Sequence, residues 1–232
     1  MNWNYNEQNL DSYLDRSTLI NIGSISVSIF LKYASEQHLS MLSPQEQSIW
    51  LKDKQYRRNR LDWLSGRIAA KSLIHELSYS GLALKDIYIN NDVNGVPISN
   101  VSKLPFSISH NSGLGLCSAI SFDGSIGCDL QKIRTLIPSF QNLFVTREEV
   151  ILWAICSNSA QLHTKHAILW AIKESAFKCL SSSNIIPESF RDIITAPDLN
   201  NRYLYKYNYQ NFHGEGRWVI INNFVIALSV IY

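Results

Sequence analysis

The chain has 232 residues, 46% of them apolar and 17% charged, which is enough for one large or two small units with ordinary globular cores. A formal charge of +2 excludes a general nucleic-acid-tracking surface, no apolar run approaches the ~20 residues of a membrane-spanning helix, and the polar start MNWNYNEQNLDSYLDRS is not a secretory signal. The expectation is a cytoplasmic protein without nucleic-acid or membrane partners, whose four scattered cysteines, Cys117, Cys128, Cys156 and Cys179, are reduced and mostly buried.

In chain order, the alternating SISVSIF at 24–30 predicts a strand. Ser43 as N-cap and Pro44 at the first helical position open a short helix in LSPQEQSIWL. A basic cluster follows, Lys52, Lys54, Arg57, Arg58 and Arg60, which taken alone reads as a solvated face. RLDWLSGRIAAKSLIHEL predicts a longer helix, and its interior Gly66, at ~1 kcal/mol relative to Ala, implies close approach of another backbone or a ligand. DIYIN at 86–90, FSISH at 106–110 and LGLCSAISF at 114–122 predict strands, separated by the turn formers NDVNG and NSG. SIGCDLQKI at 125–133 is a strand, VTREEVILWAI a short helix capped by Thr146, and HAILWAIKESAFKCL a longer helix. The C-terminal YLYKYNYQ and RWVIINNFVIALSVIY are β-rich, with a hairpin turn at Asn222 and Asn223.

Strand, helix, helix therefore occurs twice. Trp63, Arg67 and Lys71 recur as Trp170, Glu174 and Lys178 at a constant displacement of 107. This predicts an α+β fold of two pseudo-symmetric halves, each with a small antiparallel sheet, joined near 111–124 around a ligand cleft. The halves are set at 1–115 and 116–232.

The chemistry-bearing residues are individually ambiguous. Glu174 and Lys178 share a helix face and read alone as an ordinary i,i+4 pair, while Asp129, ending an apolar strand after Gly127, reads alone as a strand end. His110, after a strand and beside Ser109, reads alone as a structural histidine.

Together they match an ordered set of blocks. FSISHNS resembles ISHS, SIGCDLQK resembles IGIDIEK, LFVTREE resembles FFTxxE, LWAIKESAFK resembles W(S/T)xKEAxxK, and LSGRIAAKSLI resembles LxGRxxxR, all motifs of the Sfp-type 4′-phosphopantetheinyl transferases. The resemblance runs from about residue 60 to 180 and implies transfer of phosphopantetheine from coenzyme A to a serine of an apo acyl or peptidyl carrier protein. It implies Mg²⁺ held by Asp129 and Glu174, with Gln131 as a weak ligand where the family has a second acid. Glu174 would also be the base and Lys178 would stabilise the attacked phosphate, with Lys173 pointing elsewhere. His110, with Ser109 beside it, would bind a coenzyme A phosphate, and Arg67 and Lys71 would face the nucleotide. Val96 stands where the family's GKP tripeptide has lysine. The two departures, Gln131 and Val96, leave a non-catalytic coenzyme A or carrier-binding homologue as the alternative. A cleft within one polypeptide suggests a monomer, and Arg147 with the segment 134–150 is the expected carrier docking surface.

Overall fold

Strand alternation decides the layers. In β1 (Ser17–Ile22) and β2 (Ile25–Tyr33), Ile20, Ile22, Val27, Ile29 and Leu31 are buried on one face. These strands join β5 (Phe106–Asn111) and β6 (Leu114–Ala119) in an antiparallel sheet of order β1-β2-β6-β5. A second antiparallel sheet contains β7 (Ser125–Lys132), β8 (Ile194–Pro197), β9 (Leu204–Tyr209), β10 (Phe212–Ile221) and β11 (Phe224–Ile231), in the order β7-β11-β10-β9-β8. The inner faces share one core, in which Ile29, Leu31 and Leu116 cluster with Ile126, Leu130, Ile226 and Leu228. Each such side chain contributes about 1.5–3 kcal/mol relative to exposure.

Two long helices cover the outer faces. Ala70, Leu73 and Ile74 of α2 (Arg60–Ser78) pack with Phe30, Phe106 and Cys117, and Ile172, Ala176 and Leu180 of α4 (Leu162–Ser182) pack with Tyr205, Tyr207 and Val225. Two short helices, α1 (Pro44–Lys52) and α3 (Arg147–Cys156), precede them. The layer order is helix, sheet, sheet, helix, the α+β arrangement of two halves expected from the repeated element order. No helix among the described residues is long and apolar enough to cross a membrane.

The structure, a computed structural model, describes residues 9–52, 60–78, 81–134, 143–156 and 162–232. Lys54, Arg57 and Arg58, residues 135–142 of the expected docking segment and the Cys156 side chain lie outside the described residues. Cys117, Cys128 and Cys179 are free and buried. The division at 115/116 falls inside β6, which pairs with both β2 and β5, so the sheets change over at 120–124. The DIYIN strand begins only at Ile89, because Leu84–Asp86 forms a 3-10 turn, and β3 (Ile89–Asn91) pairs with β4 (Pro97–Ser99) across the NDVNG turn.

The repeat itself is built on different residues from those the sequence pairs. Ser43 caps α1 reciprocally with Glu46: the Ser43 N–H and hydroxyl donate to Glu46 Oε2, each at 2.9 Å, and Glu46 N–H donates back to Ser43 Oγ at 3.3 Å. Lys71 from α2 forms an ion pair with the same carboxylate, and Ile89 N–H donates to its other oxygen at 3.4 Å. In the second half Thr146 and Glu149 cap α3 in the same way, Lys173 from α4 donates to Glu149 Oε2 at 2.8 Å, and Thr195 N–H donates to Oε1 at 2.7 Å. Glu46 and Glu149 stand 103 residues apart and Lys71 and Lys173 stand 102 apart. The displacement of 107 pairs Lys71 with Lys178, whereas the partners of the two halves make Lys173, bound to Glu149, the counterpart of Lys71, bound to Glu46.

Gly127 is a contact that only hydrogen satisfies. A Cβ there would lie 1.9 Å from Ser175 O and 2.5 Å from Cys179 N, both backbone atoms of α4. Gly127→Ala is expected to push α4 off β7 at a cost of about 3 kcal/mol or more, read as a melting temperature lower by about 6 °C or more.

Candidate functional site

The two sheets meet edge to edge through side chains. Ser107, Ser109 and Asn111 point from one side of β5 toward β7. Ser107 Oγ accepts from Cys128 N–H at 3.0 Å, Ser109 Oγ accepts from Leu130 N–H at 3.1 Å, and Asn111 Nδ2 donates to Gln131 Oε1 at 3.3 Å. The two serine hydroxyls thus supply the partners that a backbone ladder would otherwise give to the β7 edge, and the Asn111–Gln131 amide pair adds a side-chain link. On the other side of β5, Ile108 and His110 face α2 and a cleft of about 330 Å³. Its walls come from both halves, Trp63, Arg67, Val96 and His110 from the first and Ile126, Phe177, Lys178 and Ser181 from the second.

Asp129, Glu174 and Lys178 converge at this junction. Lys178 Nζ lies 3.1 Å from Asp129 Oδ1 and 3.3 Å from Glu174 Oε1, and donates to Cys128 O at 3.0 Å. Asp129 is almost wholly buried, while the Glu174 and Lys178 side chains are about a quarter exposed, at 28% and 26%. Burial and the nearby Glu174 charge push the Asp129 carboxyl up to about 6, against the pull of Lys178 and the Ser109 hydroxyl. Burial works against the Lys178 charge, but Asp129 and Glu174 outweigh it and raise its pKa.

Asp129 Oδ1 is occupied by Ser109 Oγ–H at 2.8 Å and by Lys178, whereas its buried Oδ2 accepts no hydrogen bond among the described residues. An orphaned carboxylate oxygen costs about 1–3 kcal/mol, so it calls for a partner from outside this set. A hard cation is one that fits, since Mg²⁺ is usually held by one or two carboxylates with substrate phosphates completing the shell. No cluster of three or more His, Cys, Asp or Glu is present among the described residues, so any such site here rests on two carboxylates.

Across the cleft, Arg67 donates from Nη1 to Ile89 O at 2.9 Å and its guanidinium lies 5.3 Å from the Trp63 ring centroid. Burial lowers its pKa, with Glu46 opposing. His110 is exposed at the cleft mouth, yet the protein packed against its ring lowers its pKa, first by desolvation, with Lys178 and Arg67 adding to the shift and Asp62 opposing it.

Three expected site residues are placed otherwise. Lys71 is fully buried and bound to Glu46, Met41 O at 3.0 Å and Leu84 O at 3.2 Å, so its ammonium is consumed inside the first half and cannot face a nucleotide. Ser109 is buried with its hydroxyl committed to Asp129 and Leu130, which makes it a positioning residue for the carboxylate and not a group beside a ligand. Gln131 has both ends of its amide engaged, Oε1 with Asn111 and Nε2 with Lys132 O at 3.2 Å, so it stitches β5 to β7 where a weak metal ligand was expected. Lys173 points away from the cleft into Glu149. Sequence reasoning overlooked Glu46 and Glu149, although S/T-x-x-E at 43–46 and 146–149 was a readable capping signal.

Residues 125–229, which span β7 to β11, match the family model of the 4′-phosphopantetheinyl transferase superfamily, and this stretch carries that superfamily's pattern. No curated protein matches the chain. Among solved structures, the holo-[acyl-carrier-protein] synthase (AcpS) of Thermotoga maritima is similar at 17% identity with a TM-score of 0.37, over 46% of this chain and 61% of that one.

Proposed function

We propose that this chain, whose second half carries the 4′-phosphopantetheinyl transferase pattern, moves the phosphopantetheine group of coenzyme A onto a serine of an apo acyl or peptidyl carrier protein. The observation that carries this reading is the meeting of Asp129, Glu174 and Lys178 at a cleft edge, with one carboxylate oxygen buried and unpartnered. Asp129 and Glu174 would hold Mg²⁺, which when bound neutralises pyrophosphate charge and favours departure of 3′,5′-ADP. Every other task falls to the protein.

Arg67 and His110 orient coenzyme A phosphates from the first half, Arg67 as a planar donor already fixed by Ile89 O and Trp63. Glu174, accessible on α4, accepts the proton of the carrier serine as its Oγ forms a bond to the proximal phosphorus of the pyrophosphate. The bond from that phosphorus to the bridging oxygen breaks, and the electron pair leaves with 3′,5′-ADP. Lys178 donates to the phosphoryl oxygens in flight, its charge secured by two carboxylates. Both walls of the cleft come from one polypeptide, so a monomer suffices. Arg147 is exposed at the start of α3 on the same segment as exposed Leu143 and Val150, a surface suited to an acidic, partly apolar carrier helix. Charge reversal at Arg147 is expected to raise the carrier KM, and an unchanged KM would remove that docking surface.

Incubation with coenzyme A, Mg²⁺ and a panel of apo carriers, read by intact mass, tests the transfer. A mass gain equal to phosphopantetheine, absent with EDTA and with Glu174→Ala, supports it. Coenzyme A binding without any carrier gaining mass would replace it by the non-catalytic binding homologue.

The raised Asp129 pKa adds a signature. Below pH of about 6 the carboxyl keeps its proton, and a cation must displace it, so Mg²⁺ affinity is expected to fall by about tenfold per pH unit there and to level off above. Calorimetric titration of Mg²⁺ between pH 5 and 8 checks this, and a flat profile would remove Asp129 from the ligand set.

A further inference from the structure

One helical turn before Gly66, Asp62 engages the turn between β5 and β6. Ser112 N–H donates to its Oδ2 at 3.2 Å, and Gly113 N–H donates to its Oδ1. Both turn residues are left-handed, with φ of 56° and 83°, as a two-residue hairpin of the primed type requires. Such a turn aims these two N–H groups away from the ladder, where a carboxylate is a strong paired acceptor. Asp62 thereby fastens the end of β5 to α2.

His110 sits directly inside that fastened end. A Cβ at Gly66 would lie 3.1 Å from His110 Cδ2 and 3.1 Å from Ile108 Cγ2, so the bare helix backbone is the seat of the imidazole. Arg67, the next residue on α2, lines the same cleft as His110 and Lys178. We propose that Asp62 is a positioning residue for His110: it clamps the Ser112 and Gly113 turn to α2 and so holds the imidazole on Gly66, facing the phosphate-binding side of the cleft. The functional consequence rests on the reading of His110 as a phosphate ligand, whereas the clamp itself does not.

The charged groups facing the ring are Asp62 and Arg67 from α2 and Lys178 from α4, with Arg134 after β7 lining a recess on its other side. Asp62 favours the protonated ring, and Lys178 and Arg67 disfavour it. Removing Asp62 therefore loosens the seat and lowers the imidazole titration midpoint together.

The test uses Asp62→Asn, which keeps one acceptor oxygen and loses the charge, and Asp62→Ala, which loses both. Amide exchange of Ser112 and Gly113, the His110 ring titration by NMR and the coenzyme A Kd by calorimetry are measured beside His110→Ala. In Asp62→Ala the two amides are expected to exchange about tenfold faster or more, the His110 midpoint to fall, and the Kd to weaken by about five- to tenfold. Asp62→Asn should shift the midpoint with a smaller change in exchange. Wild-type exchange and an unshifted His110 midpoint in both variants would overturn the clamp. If His110→Ala binds coenzyme A as well as the wild type, the phosphate reading of His110 fails, and exchange and ring titration still decide the clamp.

Discussion

Asp129→Asn is expected to lower transfer by on the order of 10³-fold while leaving the melting temperature at neutral pH equal to or above that of the wild type. Ordinarily the removal of a carboxylate bound to a lysine destabilises. Here the sign is set by the raised folded pKa, about 6 against 3.8, so ionisation of Asp129 is less favourable in the folded protein than in the unfolded chain. The stability this group allows is full below its unfolded value and is lost as pH rises through about 6. At neutral pH the buried charge is therefore a standing penalty, and a neutral amide removes it. Asn still offers an oxygen to the Ser109 hydroxyl, and Glu174 remains as a partner for Lys178. Asp129→Ala would instead leave the Ser109 hydroxyl without its acceptor and should destabilise. Paired melting curves and carrier labelling check the expectation, and an Asn variant with normal Mg²⁺-dependent transfer would refute the role given to Asp129. A gain in stability on losing this charge would mark Asp129 as a site group and not half of a structural ion pair.

Lys71→Met is expected to do the reverse. It should cost about 3–5 kcal/mol, a melting temperature lower by about 10 °C, and leave coenzyme A affinity unchanged where the protein remains folded. Glu46 is fully buried and serves α1, Lys71 and Ile89 N–H together, so loss of the ammonium strands a carboxylate in the core. The second half makes the same prediction for Lys173→Met through Glu149 and Thr195. Lys71→Met combined with Glu46→Gln should recover a large part of the loss, because the stranded charge goes with it. A coenzyme A affinity that fell in step with the Lys71 substitution, at a temperature where the fold is intact, would return this lysine to the ligand site. The two experiments separate lysines and acids that look alike in the sequence.

What the sequence determined by itself was local. Alternating or continuous apolar runs over β5, β6, β7, β10 and β11 and apolar spacing over α2 and α4 located most elements, because strand and helix periods are set by the backbone and need only nearby residues. Ser43, Pro44 and Thr146 marked helix starts for the same reason. The ordered blocks named Asp129, Glu174, Lys178 and His110; His110 and Lys178 line one cleft, and Asp129 and Glu174 join it through their ion pairs with Lys178. The edge strand β1 was not visible, since STLINI buries only Ile20 and Ile22 and gains its partner from β2.

Only the tertiary structure decided which polar groups meet. Arg67 and Lys71 lie one turn apart on the same helix, yet Arg67 reaches the cleft while Lys71 is sealed beneath it against the cap of α1. Ser109 and Gln131 sit within matched blocks, yet their hydrogen bonds go to the neighbouring strand because β5 and β7 lie edge to edge without a backbone ladder. Partners separated by 20 residues or more, such as Ser109 with Asp129, Lys71 with Met41 O and Lys178 with Asp129, are chosen by packing distance and by desolvation. Neither quantity is written in the spacing of residues along a chain, and both become fixed only when the sheets and helices close on one another.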